Sequence, residues 1–78
     1  MEIADSTVAV VRDTFAEEQV PVVLAILREY GTEEFHYEPD RVHRAIVKLG
    51  QGRVDHIRRY LNVARADYRD VLYYSGDY

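Results

Sequence analysis

The chain has 78 residues, no cysteine, no tryptophan, a net charge of −4 and a pI of about 5.2. That length makes one domain, residues 1–78, burying about 60–65% of the surface its unfolded form exposes, so the core is small. The lack of cysteine excludes disulfides, thiolate catalysis, cysteine-ligated zinc and iron–sulfur clusters, and it fits a cytoplasmic protein.

The opening Met1-Glu2-Ile3-Ala4-Asp5 is acidic where a secretory signal is basic. The longest apolar run, Val20 to Leu27, is far shorter than the ~20 residues of a membrane span, so a soluble protein is expected. Charge is unevenly placed. Residues 1–40 hold ten acidic groups and two arginines, a balance of −8, and residues 41–78 hold eight basic groups and four aspartates, a balance of +4. Either the halves attract each other within the fold or the basic half meets an acidic partner.

Spacing and punctuation predict a first helix from Asp5 to Phe15, capped by Asp5 or Ser6, with Ala4, Val8, Val11 and Phe15 on one face. The β-branched Thr7-Val8-Ala9-Val10-Val11 makes a strand the competing reading, but no hairpin partner follows and an isolated strand leaves its backbone unpaired. A second helix is predicted from Glu17 to Tyr30, with Pro21 in the first turn and Gly31 just past the end. Val20, Val23, Leu24 and Leu27 form one apolar face and Val22 and Ile26 a second, the mark of a central helix or of one half-covered by a partner.

Gly31 to Glu38 reads as a loop pinned to the core by Phe35 and Tyr37. Pro39 opens a third helix that Gly50 ends, with Val42, Ala45, Ile46 and Leu49 as its buried face. Gln51-Gly52 is then a turn short enough to require an adjacent, roughly antiparallel helix. From Arg53 to Tyr74 the apolar residues Val54, Ile57, Leu61, Ala64, Tyr68 and Val71 keep one register, predicting a single long helix of about 33 Å. Asp67 could instead cap a fresh helix after a break at Ala66. The unbroken register favours continuity.

On that last helix Arg58, Asn62, Arg65 and Arg69 share one stripe. Arg65 and Arg69 are like charges four apart, which repel, so a counter-charge is expected. It is either internal, from Glu29, Glu33 or Glu34, or an external carboxylate, phosphate or protein. The other flank carries His56, Tyr60, Val63, Asp67, Asp70 and Tyr74. Tyr68 reads as core. Tyr60, Tyr73, Tyr74 and Tyr78 either cover core edges or build a contact surface, since tyrosine and arginine are enriched at interfaces.

His36, His43 and His56 lack the spacing of a metal site, and no metal or other cofactor is expected. Nucleophile-elbow, P-loop and dinucleotide motifs are missing, and the contiguous Glu17-Glu18 and Glu33-Glu34 pairs have no apolar pocket, so the reading leans away from an enzyme. Eight basic residues crowd the third and last helices, but the helix-turn-helix spacing is wrong and the acidic pI opposes phosphate-driven binding.

The strings Arg41-Val42-His43-Arg44-Ala45-Ile46-Val47-Lys48-Leu49 and Ala64-Arg65-Ala66-Asp67-Tyr68-Arg69-Asp70-Val71-Leu72 resemble small bacterial helical proteins of unknown function that share an A-I-x-K-L helix, a glycine turn and an A-x-x-D-Y-R-D-V-L segment. The likeness covers about the last half of the chain and, more loosely, Val20 to Gly31; the tail from Tyr73 departs from it. It implies a bacterial, cytoplasmic, all-helical protein and transfers no catalytic or binding residue.

The expectation is thus a compact all-α domain of four helices, with the second and last packed together. Its expected role is a non-enzymatic interaction or homodimerisation module that uses Val22, Ile26, Arg58, Arg65, Arg69, Tyr60, Tyr73 and Tyr74 toward a protein partner or a second copy, with no membrane partner. The alternative is a module that binds nucleic acid or an anionic ligand through the third and last helices.

Overall fold

The computed structural model describes residues 2–76, and within them the chain is all-helical. Five α-helices are formed: α1 (Asp5–Thr14), α2 (Val20–Leu27), α3 (Pro39–Gly50), α4 (Val54–Ala66) and α5 (Tyr68–Ser75), with a 3₁₀ turn at Glu17–Gln19 leading into α2. Helix α3 lies at the centre, packed against α1, α4 and α5, while α2 packs on α4 and on α1. The core gathers Val11, Val23, Leu27, Tyr30, Val42, Ile46, Ile57, Leu61, Val71 and Leu72 from all five helices and the end of the α2 segment.

Helix α1 starts at Asp5 as the sequence suggests, but its N-cap is Ala4 and no side chain caps it. Asp5 and Ser6 therefore lie inside the helix, and its inward face is Thr7 and Val11, flanked by Ile3 and Phe15. The expected second helix is shorter than its pattern. It begins after the 3₁₀ turn and ends at Leu27, where Glu29 N–H donates to the Ile26 carbonyl and Tyr30 N–H to the Leu27 carbonyl. These tighter bonds wind the chain down and drive Tyr30 inward, where it is 1% exposed.

Helix α3 keeps its predicted bounds. Pro39 occupies the first turn, where its missing N–H costs nothing. The residue that takes the left-handed conformation at its end is Gln51 (φ 50°), not Gly50. Gly50 is needed for a different reason: a Cβ there would run into the Ile57 side chain, so its bareness lets α3 and the start of α4 approach closely.

The long last helix is in fact two. Asp67 takes an extended backbone (φ −156°, ψ 105°), closing α4 and opening α5. Its Oδ1 accepts the Arg69 amide at 3.0 Å, a side-chain N-cap. The Arg69 guanidinium clasps the same carboxylate at 3.0 and 2.9 Å and holds it below the usual carboxylate range. The reason for the break is the length of α3, whose 12 residues span about 18 Å. A straight partner of about 33 Å would overrun it and carry its last turns into solvent. Broken at Asp67, the chain folds α5 back on α3 and buries Val71, Leu72 and Ser75. Asp67→Ala removes the cap, and the expected result is a melting temperature lower by about 4–8 °C. Asp67→Asn, which keeps an acceptor, should recover most of that loss in the same thermal melt.

Candidate interaction surface

The loop between α2 and α3 is built around one histidine. His36 Nδ1 accepts the amides of Gly31, Thr32 and Glu33 at 2.9, 3.1 and 3.2 Å. Its ring stacks on Tyr30, centroids 4.5 Å apart and planes 21° apart. Tyr30 in turn donates its hydroxyl to the Tyr37 carbonyl at 2.8 Å, and its own carbonyl accepts from His43 Nε2 at 2.8 Å. Burial pushes the Tyr30 phenol up to about 12, so it stays a donor at neutral pH.

With His36 turned toward Tyr30, its neighbours Phe35 and Tyr37 face out. Phe35 is 65% exposed and Tyr37 59%. The expectation that these two pin the loop is therefore corrected: Tyr30 and His36 pin it. Composition hides this, since phenylalanine outranks histidine for burial.

Tyr37 leans on Tyr68 of α5, ring centroids 5.7 Å apart. Between this loop and the α4–α5 junction lies a shallow cleft of about 390 Å³, lined by Phe35, His36, Tyr37, Arg65, Tyr68 and Arg69 among others. One turn beyond Arg69 stands Tyr73, 72% exposed, in edge contact with Tyr74. Phe35, Tyr37 and Arg69 thus share one cleft, and Tyr73 and Tyr74 stand exposed about one turn further along α5.

The other expected contact residues fall elsewhere. Val22 is 49% exposed, but Ile26 is buried at 6%, so these two do not form the second open face that the sequence suggests. Helix α2 is short and lies between α1 and α4, which leaves only one edge of it in solvent. Tyr60 is half-buried against the core, with the Arg59 guanidinium 5.9 Å above its ring, and so covers a core edge. Tyr78 lies outside the described residues.

The counter-charge for the arginine stripe is internal. Glu29 receives both guanidinium nitrogens of Arg58 at 2.7 Å, and Arg65 stands 3.6 Å from the same carboxylate. The Arg58 bonds hold the Glu29 carboxyl below its ordinary range, and Glu29 holds Arg58 above its own. Both partners remain solvated, so this bidentate pair orients the groups and contributes about 0–1 kcal/mol.

Two buried polar atoms, Thr7 Oγ1 and His43 Nδ1, have no hydrogen-bond partner among the described residues. No group of three or more His, Asp or Glu among those residues is placed to hold a metal ion, and none of the helices described is long and apolar enough to cross a membrane. The chain matches no family model, no curated protein and no solved structure. Its function must be read from its own surface.

Proposed function

We propose that this protein is a non-enzymatic interaction module that docks a protein partner, or a second copy of itself, through the strip formed by Phe35, Tyr37, Arg69 and Tyr73. The observation that carries this reading is the exposure of Phe35, Tyr37, Tyr73 and Tyr74, each more than half open to solvent in so small a domain. Large aromatic side chains left open on a small domain favour a contact surface, and aromatic residues with arginine, as Phe35, Tyr37 and Arg69 around one cleft, are the groups that anchor such surfaces. The Phe35–Tyr37 pair is held by a loop whose backbone is tied down at His36, so docking would order few further groups.

Kinship with the small bacterial helical proteins, and a cytoplasmic location, belong to the same proposal. They are supported by the two shared strings and the lack of cysteine. The alternative role, binding of nucleic acid or an anionic ligand through the basic helices, has less support at Arg58, Arg65 and Arg69. The first two share Glu29 and the third is clasped by Asp67.

The test compares the wild type with a Phe35→Ser, Tyr73→Ser double variant. Both side chains are exposed, so the variant should melt with the wild type. Light scattering over a wide concentration range and photo-crosslinking from position 37 in the native host are the two readouts. The expected result is a dimer, or one discrete crosslinked species, that the variant loses. A chain that stays monomeric at every concentration and gives the same crosslinks with and without Phe35 and Tyr73 would refute the proposal.

A further inference from the structure

A second surface lies away from the aromatic strip, and no residue lines both. Helices α1 and α3 pack together and leave an open groove of about 830 Å³ along their seam. One wall is α3, with Arg41, Arg44 and Lys48 on successive turns over about 10 Å. Arg41 is engaged by Glu38 at 3.1 Å. Arg44 and Lys48 are exposed and make no ion pair among the described residues. The facing wall is α1, where Val10 is 44% exposed, and the buried Val47 lies beneath.

Two like charges four apart on one helix face repel each other. Neither closes an ion pair among the described residues, with only Asp40 one turn before Arg44 on the same wall, in a chain whose net charge is −4 and whose first 40 residues hold ten acidic groups. The local charge is thus opposite in sign to the molecule as a whole, and it lies beside the exposed Val10. We infer that this groove seats an acidic amphipathic helix of a protein partner, its carboxylates one turn apart on Arg44 and Lys48 and its apolar side chains on Val10.

Three features select this occupant. No aromatic side chain lines the groove to stack a base, so a single-stranded nucleic acid fits poorly. The two cations are exposed, so a free phosphate would be held only by screened surface charge. The exposed valine beside them rewards a ligand that brings apolar surface with its charge, as an amphipathic helix does.

The probe is a labelled synthetic helix with glutamates four apart beside leucines, titrated into the full chain by fluorescence anisotropy. The expected result is saturable binding that weakens at high salt and falls about tenfold or more in the Arg44→Glu, Lys48→Glu double variant. A second variant, Val10→Asp, leaves both cations in place and should also weaken binding. The Phe35→Ser, Tyr73→Ser variant should bind the probe unchanged, which separates this surface from the aromatic strip. Thermal melts establish that each variant is folded. No saturable binding, equal binding of a scrambled peptide, wild-type affinity in the charge-reversed variant, or tighter binding of a short DNA duplex would each overturn the inference.

Discussion

Tyr30→Ala is expected to come close to unfolding the domain. Tyr30 is the largest fully buried side chain described, and it joins three parts of the fold. Its ring carries His36 and with it the α2–α3 loop, its hydroxyl ties down Tyr37, and it meets the His43 ring edge-on with centroids 6.3 Å apart. Truncating a buried aromatic to alanine costs about 3–5 kcal/mol. A chain of this length holds on the order of 4–12 kcal/mol in all. Urea denaturation should therefore show a sharply lower midpoint with little change in slope, or no folded baseline. Tyr30→Phe keeps the ring and the stack and loses only the hydroxyl bond to a carbonyl near solvent, so its cost should be about 1 kcal/mol. A Tyr30→Ala chain within about 1 kcal/mol of the wild type would show that the loop is not held through this ring.

Acidification should destabilise the protein through His43 before any carboxylate titrates. His43 is fully buried, and its Nε2–H is spent on the Tyr30 carbonyl. Burial lowers its pKa below the ordinary value of 6.5, with the Tyr30 and Leu27 carbonyls and Asp40, one turn earlier on α3, opposing the shift only in part. Below pH 6.5 the unfolded chain takes up a proton that the folded core refuses. The unfolded state then binds more protons, so stability falls as pH falls, by up to about 1.4 kcal/mol per unit, until the folded group itself titrates. Above pH 6.5 both states are neutral at this position and the contribution is flat. His43→Gln keeps a donor for the Tyr30 carbonyl but cannot be protonated. Melting curves between pH 7.5 and 5 should slope for the wild type and flatten for this variant, and parallel slopes would show that another group carries the dependence.

The surface was only partly legible in the residues. The exposure of Tyr73 and Tyr74 follows from the register of Val71 and Leu72, because on a short helix the positions opposite the buried ones must face water. Glu29 is among the acidic groups to which the arginine stripe points, although the charge imbalance between the halves by itself leaves both an internal and an external partner open. The exposure of Phe35 and Tyr37 is not legible in the residues, because hydrophobicity scales cannot see that three amides converge on His36. Nor is Ile26 legible: the second apolar face of α2 divides, Ile26 buried and Val22 open, because α2 lies between two other helices.

By itself the sequence determined what depends on neighbours along the chain. The all-helical class follows from the 3.6-residue period, and the bounds of α3 follow from a proline that cannot accept an interior position and a turn that must follow Gly50. Tertiary structure decided what depends on the dimensions of other elements. The register from Val54 to Val71 is compatible with one straight helix, and nothing local forbids it. Asp67 breaks it because α3 is too short to cover such a helix, and folding α5 back buries Val71 and Leu72, which a straight rod would leave in water. That same break brings Tyr68 and Arg69 to the side where Phe35 and Tyr37 emerge, and so forms the cleft at the head of the surface through which we propose the protein acts.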